Sequence, residues 1–201
     1  MIMQIGTVPI YSGKVKNYKE HQKLLDPIVK DDSNWRSTSE WMSATQSTMG
    51  HEGNQELPWD KILEDIQPHL NDYLQIFGPT QQYGVQTRPW LNRYEKGGWQ
   101  EQHNHTGPGS HFSMSYIIDA QEQSNFVFAD SVGNWYDGLW ECAGIFANWP
   151  HRNLTPDQED GSIFIFPNTL DHFVLPNQSD NYRVTASANF YITAIDQNDK
   201  D

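Results

Sequence analysis

The chain holds a single cysteine among 201 residues, Cys142, so no disulfide can close within it, and a reducing compartment is expected. Basic residues are also scarce: 13 Lys and Arg stand against 26 Asp and Glu, a formal charge of −13. Binding a phosphate backbone needs a basic footprint, as does adhesion to an anionic bilayer, so neither a nucleic-acid nor a membrane partner is expected. No apolar run reaches the roughly 18 residues that a membrane-spanning helix needs. The opening MIMQIGTVPIYSG has no basic stretch followed by an apolar core, which predicts no secretory leader and a cytoplasmic location. Internal repeats are missing as well. Aromatic residues, by contrast, are plentiful: eight Trp, nine Tyr and nine Phe make 13% of the chain. Disordered chains lack such residues, so this one folds, and its length suits one domain.

Periodicity divides the chain into two parts. Residues 14–30 read as a helix with Asn17 at its N-cap and an apolar stripe of Leu24, Leu25, Ile28 and Val29. A polar loop follows over 31–57, with Trp35 and Trp41 in it and room for short strands. After Pro58, Trp59, Ile62, Ile66, Leu70, Tyr73 and Phe77 recur at helical spacing until Gly78-Pro79. Pro68 predicts a kink or break inside that helix. From residue 81 the pattern changes to short β-branched or aromatic segments at 83–94, 111–118, 125–130, 143–148, 162–166, 170–175 and 183–194. The expectation is one α+β domain: helical support and loop over 1–80, an all-β sandwich or barrel over 81–195, and a disordered tail at 196–201. In the last strand Val184, Ala186, Ala188, Phe190 and Ile192 alternate with Arg183, Thr185, Ser187, Asn189, Tyr191 and Thr193. The polar set faces either solvent or a wet cavity.

Three features could carry chemistry. His103 and His105 share a face of an extended segment, and both imidazoles could reach one ion; two solvated loop histidines are the alternative. His172 follows Gly161 and Phe166-Pro167 and opens a second antiparallel strand, as a structural residue or as a ligand. Arg183 lies eleven residues further on, and its planar fork suits a carboxylate; otherwise it pairs with a surface acid. Taken together they make a metal pair, a distant third ligand and an anion anchor, an arrangement suited to non-haem iron with 2-oxoglutarate. A buried dicarboxylate without a cation would be prohibitively costly, which gives Arg183 its purpose.

Leu91-Asn92-Arg93-Tyr94-Glu95-Lys96-Gly97, His103-x-His105, Ser113-Met114-Ser115-Tyr116, Gly161 to Phe166-Pro167 and His172, and Arg183-Val184-Thr185 to Asn189-Phe190 follow in that order. In this series the chain resembles the 2-oxoglutarate/Fe(II)-dependent oxygenase superfamily, in particular its prolyl-4-hydroxylase-like branch and the small oxygenases of marine bacteriophages. The resemblance spans about residues 85–193. It implies a double-stranded β-helix (jelly roll) with supporting N-terminal helices. It implies Fe(II), 2-oxoglutarate and O₂ as cofactors, with ascorbate as an auxiliary reductant, and iron ligands at His103 and His172. It places Arg183 on the far carboxylate of 2-oxoglutarate with Thr185 and Tyr116 beside it, Tyr94 near the metal end, and Asn189 in the same cofactor-binding set. His105 stands where most of the superfamily has Asp or Glu; it is expected as the third ligand, and if it points away the site keeps two. The implied activity is hydroxylation of a C–H bond in a protein (prolyl-like) or small-molecule substrate, with succinate and CO₂ released. A monomer or homodimer is expected, in the host cytoplasm if the gene is viral.

Two other readings fit parts of the pattern. A cupin with three His and no 2-oxoglutarate wants Glu where Gly109 and Ser110 stand and Gly where Thr169 stands, and it has no use for Arg183. A non-catalytic jelly-roll binding module needs no ordered metal set. Asp171 falls on the opposite strand face from its neighbour and is set aside as a ligand. His21, His51, His69, His111 and His151 are expected in loops or on the surface. Trp99, Trp135, Trp140 and Trp149 could line a substrate groove, with residues 131–155 as an aromatic cover, while Cys142 has no basic neighbour and no assigned role.

Overall fold

A computed structural model describes residues 8–107, 109–122, 124–129 and 153–195. Its strands are β1 (Tyr11–Lys14), β2 (Arg36–Ser37), β3 (Gln46–Ser47), β4 (Tyr83–Tyr94), β5 (Gln100–His103), β6 (Phe112–Asp119), β7 (Phe126–Ala129), β8 (Asn153–Leu154), β9 (Ser162–Pro167), β10 (His172–Val174) and β11 (Arg183–Ala194). Helices α1 (Tyr18–Lys30) and α2 (Trp59–Gln75) come from the N-terminal part. All strand pairings are antiparallel, in a seven-stranded sheet ordered β1-β9-β6-β11-β4-β3-β2 and a four-stranded sheet ordered β5-β10-β7-β8.

The alternation in β11 decides how the layers stack. Val184, Ala186, Ala188 and Phe190 pack with Leu25 and Val29 of α1 and with Ile62, Ile66, Leu70 and Tyr73 of α2 in one buried cluster. Each fully buried aliphatic or aromatic side chain there contributes on the order of 2 kcal/mol. On the opposite face Tyr94, Ile117, Phe164 and Phe166 of the large sheet meet Phe126, Phe128 and Val174 of the small one. Two sheets thus close on a second core, and the helices brace the back of the larger sheet, a double-stranded β-helix architecture.

Several local expectations change. The buried stripe of α1 runs through His21, Leu25 and Val29, and Leu24 is exposed. Asn17 is the N-cap of α1, as expected, but its side chain makes no capping bond; its amide donates instead to both Asp65 carboxylate oxygens at 3.0 Å and ties α1 to α2. Helix α2 continues through Pro68, which lies on the exposed face, so the lost N–H is one that faced water while Ile66 and Leu70 hold the buried side. Phe77 lies beyond α2 and is half exposed, with its ring against Tyr73 and Phe112. The turn before β9 needs Gly161, at φ +89°, because a Cβ there would lie 2.8 Å from the Tyr18 ring. Strands β1, β5 and β8 escaped the sequence pattern, β5 because Gln100-Glu101-Gln102-His103 has no apolar residue. The expected strand at 143–148, the tail, Cys142, His151, Trp135, Trp140 and Trp149 lie outside the described residues.

Candidate metal centre

His103 ends β5 and is the register partner of His172, the first residue of β10. His105 lies two residues past the end of β5, fastened by its own N–H to the Asn168 carbonyl at 2.8 Å. One nitrogen from each of the three imidazoles lies within 4.8 Å of the others. Their Nδ1 atoms are already engaged. That of His103 donates to the Glu101 carbonyl at 2.8 Å, and that of His172 to the Leu170 carbonyl at 2.9 Å. That of His105 donates to Asn189 Oδ1 at 2.8 Å, with Ser113 Oγ 2.9 Å away. Ser113 and Asn189 face one another across β6 and β11, and the hydroxyl donates to the same Oδ1 at 3.0 Å. Each partner fixes the tautomer and leaves Nε2 unprotonated toward the shared point, the outer-shell arrangement that metal-binding histidines use.

Burial keeps the His105 and His172 rings neutral. It pushes His105 down to about 4, with the neighbouring His103 adding to the effect, and lowers His172 well below the usual histidine range for the same reasons in the same order. Neutral imidazoles keep their lone pairs at physiological pH, so the cluster suits a divalent transition metal. Three neutral ligands leave the ion's charge uncompensated by the protein. Asp171 does not supply it: its carboxylate accepts from Asn104 at 2.8 Å and Gln102 at 3.2 Å.

The polar face of β11 leads from this cluster to a cation. Asn189 touches His105, Ser187 accepts from Asn92 at 3.1 Å, Thr185 follows, and Arg183 closes the row fully buried. Arg183 donates through Nη2 to Gln158 Oε1 at 3.1 Å, while its Nε and Nη1 have no partner among the described residues. Burial lowers its pKa to about 10, which still leaves it charged at neutral pH. A buried guanidinium with idle donors is costly unless an anion completes it, so the residues fit a carboxylate at this end and a metal at the other.

Tyr94 bridges the two ends. It pairs with Arg183 in register, and its hydroxyl donates to Gln100 Oε1 at 2.8 Å. The Gln100 amide lies 3.4 Å from His103 Nε2, a long contact that a metal would replace. Burial raises the Tyr94 pKa to about 12 against the pull of Arg183, so the phenol stays protonated and donates. Tyr116, expected beside Arg183, lies elsewhere. Its side chain lies on the helix-facing side of the sheet, with its hydroxyl 2.9 Å from His21 Nδ1, and it does not reach the anchor. His21 is likewise buried rather than superficial, with Nε2 3.1 Å from Asp65. His69 is half-buried against Tyr11. Gln158, Ser113 and Gln100 have roles that the sequence reading did not assign.

The comparisons with known proteins accord with this geometry. A family model described as "Putative 2OG-Fe(II) oxygenase" matches residues 88–189, half of the chain. The chain belongs to this family. No curated protein matches the sequence. Among solved structures, the chain resembles a prolyl-4-hydroxylase from Pseudomonas putida (TM-score 0.58, 12% identity, 92% of this chain and 93% of that one). It also resembles EctD from S. alaskensis with 2-oxoglutarate and 5-hydroxyectoine (TM-score 0.59, 14% identity, 90% and 71%). A third is a Trichoplax adhaerens prolyl hydroxylase in complex with a hypoxia inducible factor peptide fragment (TM-score 0.58, 8% identity, 90% and 83%). At these identities the likeness shows the fold, the double-stranded β-helix of the 2OG-Fe(II) oxygenases. The protein is therefore a non-haem iron oxygenase by family, with Fe(II) and 2-oxoglutarate as the family's cofactors.

Proposed function

We propose that the protein hydroxylates a C–H bond of a protein or small-molecule substrate, converting 2-oxoglutarate and O₂ to succinate and CO₂ as one oxygen atom enters the substrate. The observation that carries this reading is the pair of Arg183 nitrogens that are idle among the described residues, at the end of a polar strand face whose other end orients a three-histidine cluster. His103, His105 and His172 would hold the iron, and the carbonyls and Asn189 behind them keep the rings aimed. Arg183, with Thr185 beside it, would hold the far carboxylate, while the protonated Tyr94 fixes Gln100 at the centre. When bound, iron and 2-oxoglutarate supply the oxidising chemistry; the chain supplies ligands, orientation and a dry chamber. Phe126 and Phe166 flank His172 at 5.3 and 5.0 Å between ring centres and help exclude water there. A cupin would leave the Arg183 donors without a purpose, which favours the 2-oxoglutarate reading.

Anaerobic titration of the protein with Fe(II) and 2-oxoglutarate tests this. A visible charge-transfer band is expected for the wild type, lost in His172→Ala and weakened in Arg183→Ala. Aerobic assay of succinate with and without peptide then separates protein from small-molecule hydroxylation. A wild type that gives no band and no calorimetric binding of 2-oxoglutarate would refute the proposal.

A further inference from the structure

An outer cleft of about 400 Å³ opens beside the cluster and shares His103 and His105 with the inner chamber. Its walls include Trp41, Met49 and Trp90, and the Trp90 ring lies 5.6 Å from that of His105. Among the described residues that line it, Glu101 is the one that carries a formal charge. The Glu101 Oε2 atom is cut off from solvent and has no hydrogen-bond partner among the described residues. Its backbone carbonyl is committed to His103, so the side chain's place beside the cluster is fixed by a bond that the metal centre itself needs.

A carboxylate with one oxygen shielded and unpartnered is costly, and a cation paired with the carboxylate from the cleft offsets that cost. The tryptophans in the same cleft add to the attraction for ammonium or guanidinium groups. The net charge of −13 draws cations toward the cleft and repels anions. Building on the oxygenase reading, we propose that the substrate presents a protonated amine or guanidinium to Glu101, with Trp41 and Trp90 against its alkyl or cationic portion. The carbon to be hydroxylated then lies a few bonds from that charge, because Glu101 is two residues from the ligand His103. Glu101 selects the substrate and takes no part in holding the metal.

The test uses the full-length protein loaded anaerobically with Fe(II) and 2-oxoglutarate, with binding read by calorimetry. The probes are acetyl-Gly-Lys-Gly-amide, acetyl-Gly-Arg-Gly-amide, free L-lysine and free L-arginine, each against its norleucine counterpart. At least one cationic probe is expected to bind at least tenfold more tightly than its neutral counterpart, with an affinity that falls as salt rises. Glu101→Gln is expected to erase that preference while binding of the norleucine probe stays as it was. Preference for the peptides over the free amino acids assigns the cation to a protein side chain, and the reverse assigns it to a metabolite. Equal binding of cationic and neutral probes, failure of every cationic probe to bind, or a preference that survives Glu101→Gln would overturn the inference. The charge-transfer band keeps the two proposals apart: its absence in the wild type removes the oxygenase reading, and its presence with no charge preference removes this one alone.

Discussion

The two faces of β11 (Arg183–Ala194) are built to opposite rules on the same backbone. The helix-facing side is Val184, Ala186, Ala188 and Phe190, closely packed and dry, and it holds the molecule together. The cavity side is Arg183, Thr185, Ser187 and Asn189, nearly as buried but polar, with two Arg183 donors left idle among the described residues. A face that buries a guanidinium without a full set of partners works against stability, so it is explained by what it binds. One strand thus separates what keeps the fold from what the fold is for.

That contrast breaks most sharply on the helix side. Leu70→Ala in α2 removes a fully buried leucine and is expected to cost about 2–5 kcal/mol in urea unfolding, with metal affinity of the folded protein unchanged. A loss of metal binding without a loss of stability would mean that the two faces are not separable. Arg183→Leu should act in the opposite sense. Without ligand, the variant is expected to be as stable as the wild type or more stable by about 1–4 kcal/mol, while 2-oxoglutarate affinity collapses. Marked destabilisation would instead make Arg183 a structural cation satisfied by Gln158.

Asn189→Ala sharpens the cavity side. Freed from its Oδ1 partner, His105 is expected to bind metal about 10–100-fold more weakly in a Mn(II) titration, with little change in thermal midpoint. An unchanged affinity would show that Ser113 alone orients the ring. The smallest effect per group is in pH. His21 and His69 on the helix side are both held below the ordinary histidine value, first by burial. The unfolded chain therefore takes up protons near pH 6.5 that the native state refuses, so stability falls as pH drops below about 6.5. The slope is at most about 1.4 kcal/mol per pH unit for each group. Measuring the midpoint of wild type and His21→Gln from pH 7.5 to 5 checks the sign, and the variant should show the shallower fall.

The same contrast explains what was legible in the sequence. Period-two alternation made β11 readable, and Arg183 and Asn189 with it, because one face is apolar and the other is not. Strand β6 gave no such signal: from Ser113 to Ile118 every residue is buried, so nothing in the pattern says which face Tyr116 takes. The resemblance put Tyr116 at the anchor, whereas the register with Ala186 puts it against His21 on the helix side. Helix α2 was plain from its spacing, and its continuity through Pro68 was not, since the cost of a proline depends on whether the missing N–H faced solvent. Gln158 was invisible because its contribution is made across the fold: it meets both backbone groups of Phe126 and the guanidinium of Arg183. His103 and His172 lie 69 residues apart in sequence, and only the pairing of β5 with β10 makes them neighbours.

A crystal structure of the protein with Mn(II) and 2-oxoglutarate, grown without oxygen, tests the central claim directly. The account predicts one metal ion on the Nε2 atoms of His103, His105 and His172, with the far carboxylate of 2-oxoglutarate on the Nε and Nη1 of Arg183. A metal bound elsewhere, a His105 ring turned away from it, or a dicarboxylate that leaves Arg183 untouched would contradict it.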